Sequence, residues 1–146
     1  MHSRRVRATH QLGSNRFGKK VTTAKLNLLV IRSADMNRAQ QFYEAVGLQF
    51  ARHSHGSGPE HLAHESGGVV FEIYPPSDPA ENTTSTRLGF AVASVDATIS
   101  LLASLGAVVK RQAQDSEWGR RAVVLDFDKH VVELIETSPA QPSATA

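Results

Sequence analysis

The chain has 146 residues, of which 40% are hydrophobic and 21% charged, and this composition is typical of a single soluble globular domain. It contains no cysteine, which excludes disulfide bonds and thiolate metal sites and favours a reducing, cytoplasmic location. No apolar segment approaches the roughly 18 residues of a membrane-spanning helix, so we expect no association with a membrane.

The basic residues are concentrated at the amino-terminal end. Residues 1–25 hold seven of the sixteen basic residues and none of the fourteen acidic ones, so residues 26–146 carry a net charge of −5. We predict a flexible basic arm at residues 1–24 and a disordered tail at residues 137–146, which are rich in proline, serine and alanine. Contact of the arm with nucleic acid and targeting of the chain to an organelle are the less favoured alternatives.

The first predicted strand covers residues 26–31, which are apolar and rich in branched side chains. Ser33 or Asp35 follows as a candidate cap, because their side-chain oxygens can accept the free N–H groups at the start of a helix. An apolar helical stripe then leads to Gly47, which supplies the exit from the helix. In the second half of the chain, Ser94 is the equivalent cap.

Two segments repeat this pattern. LLVIRSADMNRAQQFYEAVGLQF (28–50) and LGFAVASVDATISLLASLGAVV (88–109) both read as strand, turn, helix, glycine and strand. The glycine after the helix recurs 59 positions later, and Glu72 in VVFEIYP recurs as Glu133 in HVVELIE, 61 positions later. A nearly constant offset across several elements indicates a duplicated module.

Each half is therefore predicted to be a β-α-β-β-β module. The modules cover residues 25–75 and 86–136, are joined by a linker at residues 76–85, and form one domain at residues 25–136. Two helices cannot cover both faces of eight strands, so one face of each four-stranded sheet stays open. We predict an α+β fold in which the tandem βαβββ modules form a curved, mixed eight-stranded cup with the ligand site on its open faces.

Four segments, in order and at the repeat spacing, resemble the vicinal oxygen chelate superfamily, which includes glyoxalase I, extradiol dioxygenases, and fosfomycin and bleomycin resistance proteins. They are LLVIRSADMNRAQQFY…VGL and FEIYPP in the first half, and LGFAVASVDA and DFDKHVVELIE in the second. The resemblance covers approximately residues 25–136. It indicates the superfamily but not a reaction.

This resemblance implies a divalent metal held by one side chain from each of four strands, which binds two neighbouring substrate oxygens and acts as a Lewis acid. The corresponding positions are Leu28, Glu72, Arg87 and Glu133. Leu28 has no donor atom, and Arg87 keeps its proton near neutral pH. We therefore expect no metal at these positions and no other cofactor.

Arg87 in a ligand position would also oppose a metal, because unit charges about 4 Å apart interact by about 4 kcal/mol at an effective dielectric constant of about 20. We predict that Arg87 is instead the electrostatic partner of Glu133 or Glu72, which need a counter-charge if they are buried. The alternative is that Arg87 points to solvent and that the glutamates are partly hydrated.

Two features near the end of the domain are less typical of the superfamily. The turn DFDKH has Phe127 and Lys129 where the family often has proline and glycine, so its geometry is open. Trp118, within DSEWGRRAVV (115–124), is interpreted as a wall of the cup or, alternatively, as a half-exposed residue of a hairpin.

Four of the seven histidines lie in RHSHGSGPEHLAHE (52–65). They are His53, His55, His61 and His64. The first two share a strand face, whereas the odd separation of His61 and His64 points them to opposite faces, so at most three can converge. We expect His55 and His61 to line the cup as neutral hydrogen-bonding or stacking groups. A zinc site of three imidazoles and Glu72, and a solvated hairpin surface, are the alternatives.

These patterns predict a protein that binds a small molecule in a β-sheet cup, similar to the bleomycin-resistance branch of the superfamily. Two classes remain as alternatives: a metal-dependent lyase, transferase or dioxygenase with an altered ligand set, and a regulatory or interaction module that uses the basic arm. Catalysis without metal, with Glu72 or Glu133 as general base, also stays open. We expect a homodimer of about 32 kDa, twice the 15.8 kDa chain, and no nucleic-acid partner. The candidate ligand-binding residues are Glu72, Arg87, Glu133, His55, His61 and Trp118.

Overall fold

The computed structural model describes residues 23–136. The predictions for the tail at residues 137–146, and for the arm up to residue 22, therefore lie outside the described residues. Within the described part of the chain, neither helix has the length and apolar character needed to cross a membrane.

Two modules with the same order of elements follow one another along the chain. The first comprises β1 (Leu28–Arg32), α1 (Met36–Val46), β2 (Ala51–His53), β3 (His61–Ser66) and β4 (Val69–Tyr74). The second comprises β5 (Arg87–Ala91), α2 (Val95–Ser104), β6 (Val108–Ser116), β7 (Gly119–Leu125) and β8 (Val131–Glu136). This arrangement confirms the predicted α+β fold of two βαβββ modules, although β2 is only three residues long.

The eight strands lie in two four-stranded sheets. Sheet 1 has the order β1-β4-β3-β2 and sheet 2 the order β5-β8-β7-β6. The first two strands of each order are parallel and the other neighbours are antiparallel, so both sheets are mixed. Val30 pairs with Glu72 in sheet 1 and Gly89 pairs with Glu133 in sheet 2, so the duplication is preserved in the strand register.

The helix boundaries follow from capping. Asp35 Oδ1 accepts a hydrogen bond from the backbone N–H of Arg38 at 3.1 Å, and Ser94 Oγ accepts one from Ala97 at 3.1 Å. Each satisfies an N–H group that has no partner within its helix. Gly47 ends α1 with a φ of 122°, a conformation that favours glycine. Ser33, the other cap candidate, is buried beside the start of α1.

A single apolar core lies between the covered faces of the two sheets. The helices contact each other, and the ring of Tyr43 on α1 lies 5.3 Å from Phe71 of sheet 1 and 5.8 Å from Phe90 of sheet 2. Phe71 and Phe90 also contact each other, at 6.0 Å. Since the helix-bearing faces meet in this core, the open faces of the two sheets lie on its outer sides.

A buried polar network joins the modules to the linker. Tyr43 Oη donates to Asp126 Oδ2 at 2.6 Å, and His130 Nδ1 lies 2.7 Å from the same oxygen. The other ring nitrogen of His130 lies 2.7 Å from Thr83 Oγ1 in the linker.

In the β7–β8 turn, Lys129 adopts the left-handed conformation with a φ of 74°, so the lysine takes the conformation for which glycine is favoured.

Candidate ligand-binding site

One cavity lies on the open face of sheet 1 and has a volume of about 560 Å³. Glu72 on β4 and three of the four clustered histidines line it, namely His53, His55 and His61. The fourth, His64, is turned away, and its Nδ1 lies 2.8 Å from the carbonyl oxygen of Gln49. Three of the four clustered histidines therefore lie around one cavity, as many as the alternation along the strands allows.

The three imidazoles of this cavity are close neighbours. The centroid of the His61 ring lies 5.2 Å from that of His55 and 6.0 Å from that of His53, and His53 and His55 are 6.5 Å apart. His61 is 1% exposed and stacks on Tyr74, with the ring centroids 4.2 Å apart. Its Nε2 lies 3.9 Å from Glu72 Oε2. Partial desolvation, followed by the nearby Glu72 carboxylate, raises the pKa of Tyr74.

A second cavity, of about 270 Å³, lies on the open face of sheet 2 and is strongly basic. Its lining consists of two valines and four cationic residues, Arg87, Lys110, Arg111 and Arg121. A regular strand would point Lys110 and Arg111 to opposite faces, but the pairing of β6 with β7 shifts register between Val109 and Arg111. A local irregularity of this kind redirects side chains, and here both consecutive residues line the same cavity.

Glu133 lies beside this basic cavity, held by two arginines. Arg121 Nη2 donates to Glu133 Oε2 at 2.9 Å, and Arg121 Nε lies 2.8 Å from Oε1, although its N–H is not directed at that oxygen. Arg87 Nη2 donates to Oε2 at 3.3 Å from a side chain that is 56% exposed. The hydrogen bond from Arg121, together with the charges of both arginines, lowers the pKa of Glu133.

The expected pairing of Arg87 with Glu133 is therefore present, but at an exposed position, and Glu72 is not part of it. Sequence reasoning missed Arg121, Lys110 and Arg111. The sequence does contain a pattern that indicates a basic site. KR at residues 110–111 and RR at residues 120–121 are basic pairs in a domain that is otherwise acidic.

The four positions of the superfamily's metal ligands do not fit a metal in this chain. Leu28 has no donor atom and is 48% exposed, and the guanidinium of Arg87 already neutralises part of the charge of Glu133. Within one chain, Glu72 and Glu133 also lie on different sheets, and the two cavities share no lining residue.

Trp118 lies in the turn between β6 and β7 and is 69% exposed. It lines neither of the two cavities. Within one chain, Trp118 is therefore an exposed residue of the β6–β7 hairpin and does not form a wall of either cavity.

The sequence matches the family described as Glyoxalase/Bleomycin resistance protein/Dioxygenase superfamily over residues 25–134. The chain belongs to this superfamily, as the βαβββ repeat and the segments at its strand ends indicate. No protein with a curated description matches it.

Solved structures with the same fold include two proteins from Streptomyces sp. CB03234. TnmS3, an antibiotic binding protein, is 24% identical with a TM-score of 0.64, over 81% of this chain and 99% of that protein. A glyoxalase/bleomycin resistance protein is 26% identical with a TM-score of 0.60, over 76% and 99% of the two chains. TioX from Micromonospora sp. ML1 is 18% identical with a TM-score of 0.57, over 79% and 100%.

Proposed function

We propose that this protein binds a small molecule that carries an anionic group, without a metal at the four-strand position of the superfamily. The observation that carries this proposal is the basic cavity of sheet 2. Of its four cationic side chains, two are paired with Glu133. The other two, Lys110 and Arg111, form no ion pair within residues 23–136.

The cavity is suited to an anion because of both charge and geometry. Guanidinium groups present planar, parallel donors that match carboxylate and phosphate oxygens. The rest of the domain is acidic, since residues 26–146 carry a net charge of −5. Four cations around one cavity repel one another, and a bound anion would relieve that repulsion.

We further propose that two copies of the chain pair through their open sheet faces. The histidine-lined cavity of sheet 1 and the basic cavity of sheet 2 lie on opposite outer sides of the core, and each is open. Leu28 on β1 is apolar and 48% exposed, and pairing of the sheet faces would cover it. In a two-fold dimer, sheet 1 of one copy would face sheet 2 of the other.

The relatives support small-molecule binding as the class of function. TnmS3 is described as an antibiotic binding protein, and another similar structure as a glyoxalase/bleomycin resistance protein. The first shares the fold at 24% identity, so it supports the type of site and not the ligand. The anionic group is inferred from the residues of this chain.

Two small probes with the same ring and opposite charge test the proposal. Phenylphosphonate carries negative charge at neutral pH and benzamidinium carries positive charge. We expect millimolar phenylphosphonate to raise the melting temperature, and benzamidinium at equal ionic strength to leave it unchanged. Ligands that bind only the folded state stabilise it in proportion to the logarithm of their concentration. An equal or larger effect of benzamidinium would contradict an anion site.

A further inference from the structure

We propose that His53, His55 and His61, together with Glu72, form a binding site for a divalent transition metal such as Zn²⁺. This site lies within sheet 1 and differs from the four-strand position of the superfamily, since three of its four ligands come from β2, the turn after it and β3. It requires neither Arg87 nor Glu133. Within one chain, it shares no lining residue with the anion cavity on sheet 2.

The ring centres of two of the imidazoles have the spacing of a metal site, although the ligand atoms of no three of these four side chains yet lie within 4.8 Å of one another. Zinc binds histidine nitrogen at about 2.0–2.1 Å, and tetrahedral geometry then places neighbouring ring centres about 5 Å apart. His55 and His61 are already 5.2 Å apart, and His53 lies 6.0 Å from His61. His53 and His55 are exposed, so a rotation of their side chains can close the remaining gap.

The geometry between His61 and Glu72 points to the same site. Two ligand atoms on one tetrahedral zinc lie about 3.4 Å apart, and the observed distance from His61 Nε2 to Glu72 Oε2 is 3.9 Å. This distance is too long for a hydrogen bond. His61 is 1% exposed, and its Nδ1 has no hydrogen-bond partner within the described residues. An imidazole that is buried on a cavity wall with so few partners is suited to a further ligand.

A metal site made by these three imidazoles needs a bend or bulge in the short hairpin, so it ranked below both a cup-lining role and a solvated hairpin surface as an interpretation of the sequence. The structure removes that objection, since β2 ends at His53 and His55 lies in the turn that follows. Three imidazole nitrogens and one carboxylate oxygen are donor types typical of zinc sites. The neutral imidazole is the form that binds metal.

A rival cluster lies in the turn between β7 and β8. Potential ligand atoms of Asp126, Asp128 and His130 lie within 4.8 Å of one another. Most of these groups are already engaged, since Asp126 accepts from Tyr43 and lies 2.7 Å from His130 Nδ1, and Asp128 accepts from Ser33. We therefore assign the metal to the histidines of sheet 1.

Titration of the full chain without an affinity tag with Co²⁺ tests this assignment, because tetrahedral Co²⁺ reports its ligands through visible absorption. We expect one equivalent to bind with intense tetrahedral bands, and Zn²⁺ to displace it. The double variant H53Q/H55Q should weaken binding at least about 100-fold, since loss even of an outer partner of a ligand costs 10–100-fold. Both substituted residues are exposed, so the melting temperature without metal should not change.

Two further variants identify the site. H64Q is the matched control, because His64 belongs to the same hairpin but bonds to the backbone of Gln49, and it should bind as the wild type does. D128N removes one ligand of the rival cluster and should also have no effect. His2 and His10 remain in every variant. Absence of binding to the wild type, unchanged binding by H53Q/H55Q, or loss of binding in D128N would overturn the proposal.

Discussion

Arg121 donates from Nη2 to Oε2 of Glu133 across 2.9 Å, and this contact links β7 to β8 on the open face of sheet 2. Arg87 reaches the same oxygen from β5 at 3.3 Å, but its side chain is more exposed, at 56% against 31% for Arg121. Arg121 is therefore the main partner of the carboxylate. The basic cavity is organised around this pair.

This difference predicts unequal effects of removing the two arginines. R87M should lower the free energy of unfolding by less than about 1 kcal/mol, because exposed ion pairs contribute little. R121M should destabilise more than R87M, because it removes the shorter contact. Urea denaturation at pH 7 measures both. A loss of 3 kcal/mol or more for R87M would indicate a dry, buried pair, which the sequence analysis considered and the exposed side chain argues against.

The lowered pKa of Glu133 predicts a dependence of stability on acid. The ordinary value is 4.5, and the value in the folded protein is lower. The charged carboxylate therefore stabilises the fold above the ordinary pKa, and this contribution is lost as the pH falls through the folded-state value. We expect the stability difference between wild type and E133Q to shrink between about pH 6 and pH 3, as measured by melting temperature. A difference that grows towards low pH would contradict the assignment.

Tyr43 should be a structural residue and not a ligand-binding one. Its hydroxyl is buried and donates to Asp126, and burial, followed by the charge of Asp126, raises the pKa of Tyr43. Y43F should lower the free energy of unfolding by about 1–3 kcal/mol, the range for loss of a buried hydrogen bond to a charged group. Y74F, at a partly exposed tyrosine, is the comparison. A loss below about 0.5 kcal/mol for Y43F would show that the network does not hold the modules together.

The open sheet faces predict self-association. We expect sedimentation velocity at micromolar concentration to show a species of about 32 kDa, twice the 15.8 kDa chain. L28E places a charge on the exposed apolar position of sheet 1 and should shift the population towards about 16 kDa, whereas L101E, at a similarly exposed leucine of α2, should not. A wild-type protein that remains near 16 kDa would contradict pairing of the open faces.

The fold could be predicted from the sequence because its signals are local or repeated. Asp35 and Ser94 cap the helices through contacts three residues away, and the offset between Glu72 and Glu133 follows from duplication. The mixed order of each sheet follows from the superfamily resemblance. These features do not depend on how distant side chains meet.

The site could be predicted only in part, because its geometry depends on strand pairing. Lys110 and Arg111 line one cavity where the pairing of β6 with β7 shifts register, and no local pattern specifies that shift. Whether Glu72 and Glu133 share a cavity depends on which sheet faces meet in the core. The short β2, which lets His53, His55 and His61 converge, was likewise not evident from alternation along the strand.

Calorimetric titration with phenylphosphonate measures whether the basic cavity of sheet 2 binds an anion. The double variant K110Q/R111Q removes the two cations of this cavity that form no ion pair within the described residues. R120Q/K129Q is the control, since it removes the same charge from residues that do not line the cavity. We predict saturable binding to the wild type and to R120Q/K129Q, weakened at least about tenfold in K110Q/R111Q, as expected if about 1.4 kcal/mol of contact energy is lost. Equal affinity for all three proteins, or no saturable binding to the wild type, would mean that this cavity is not an anion site.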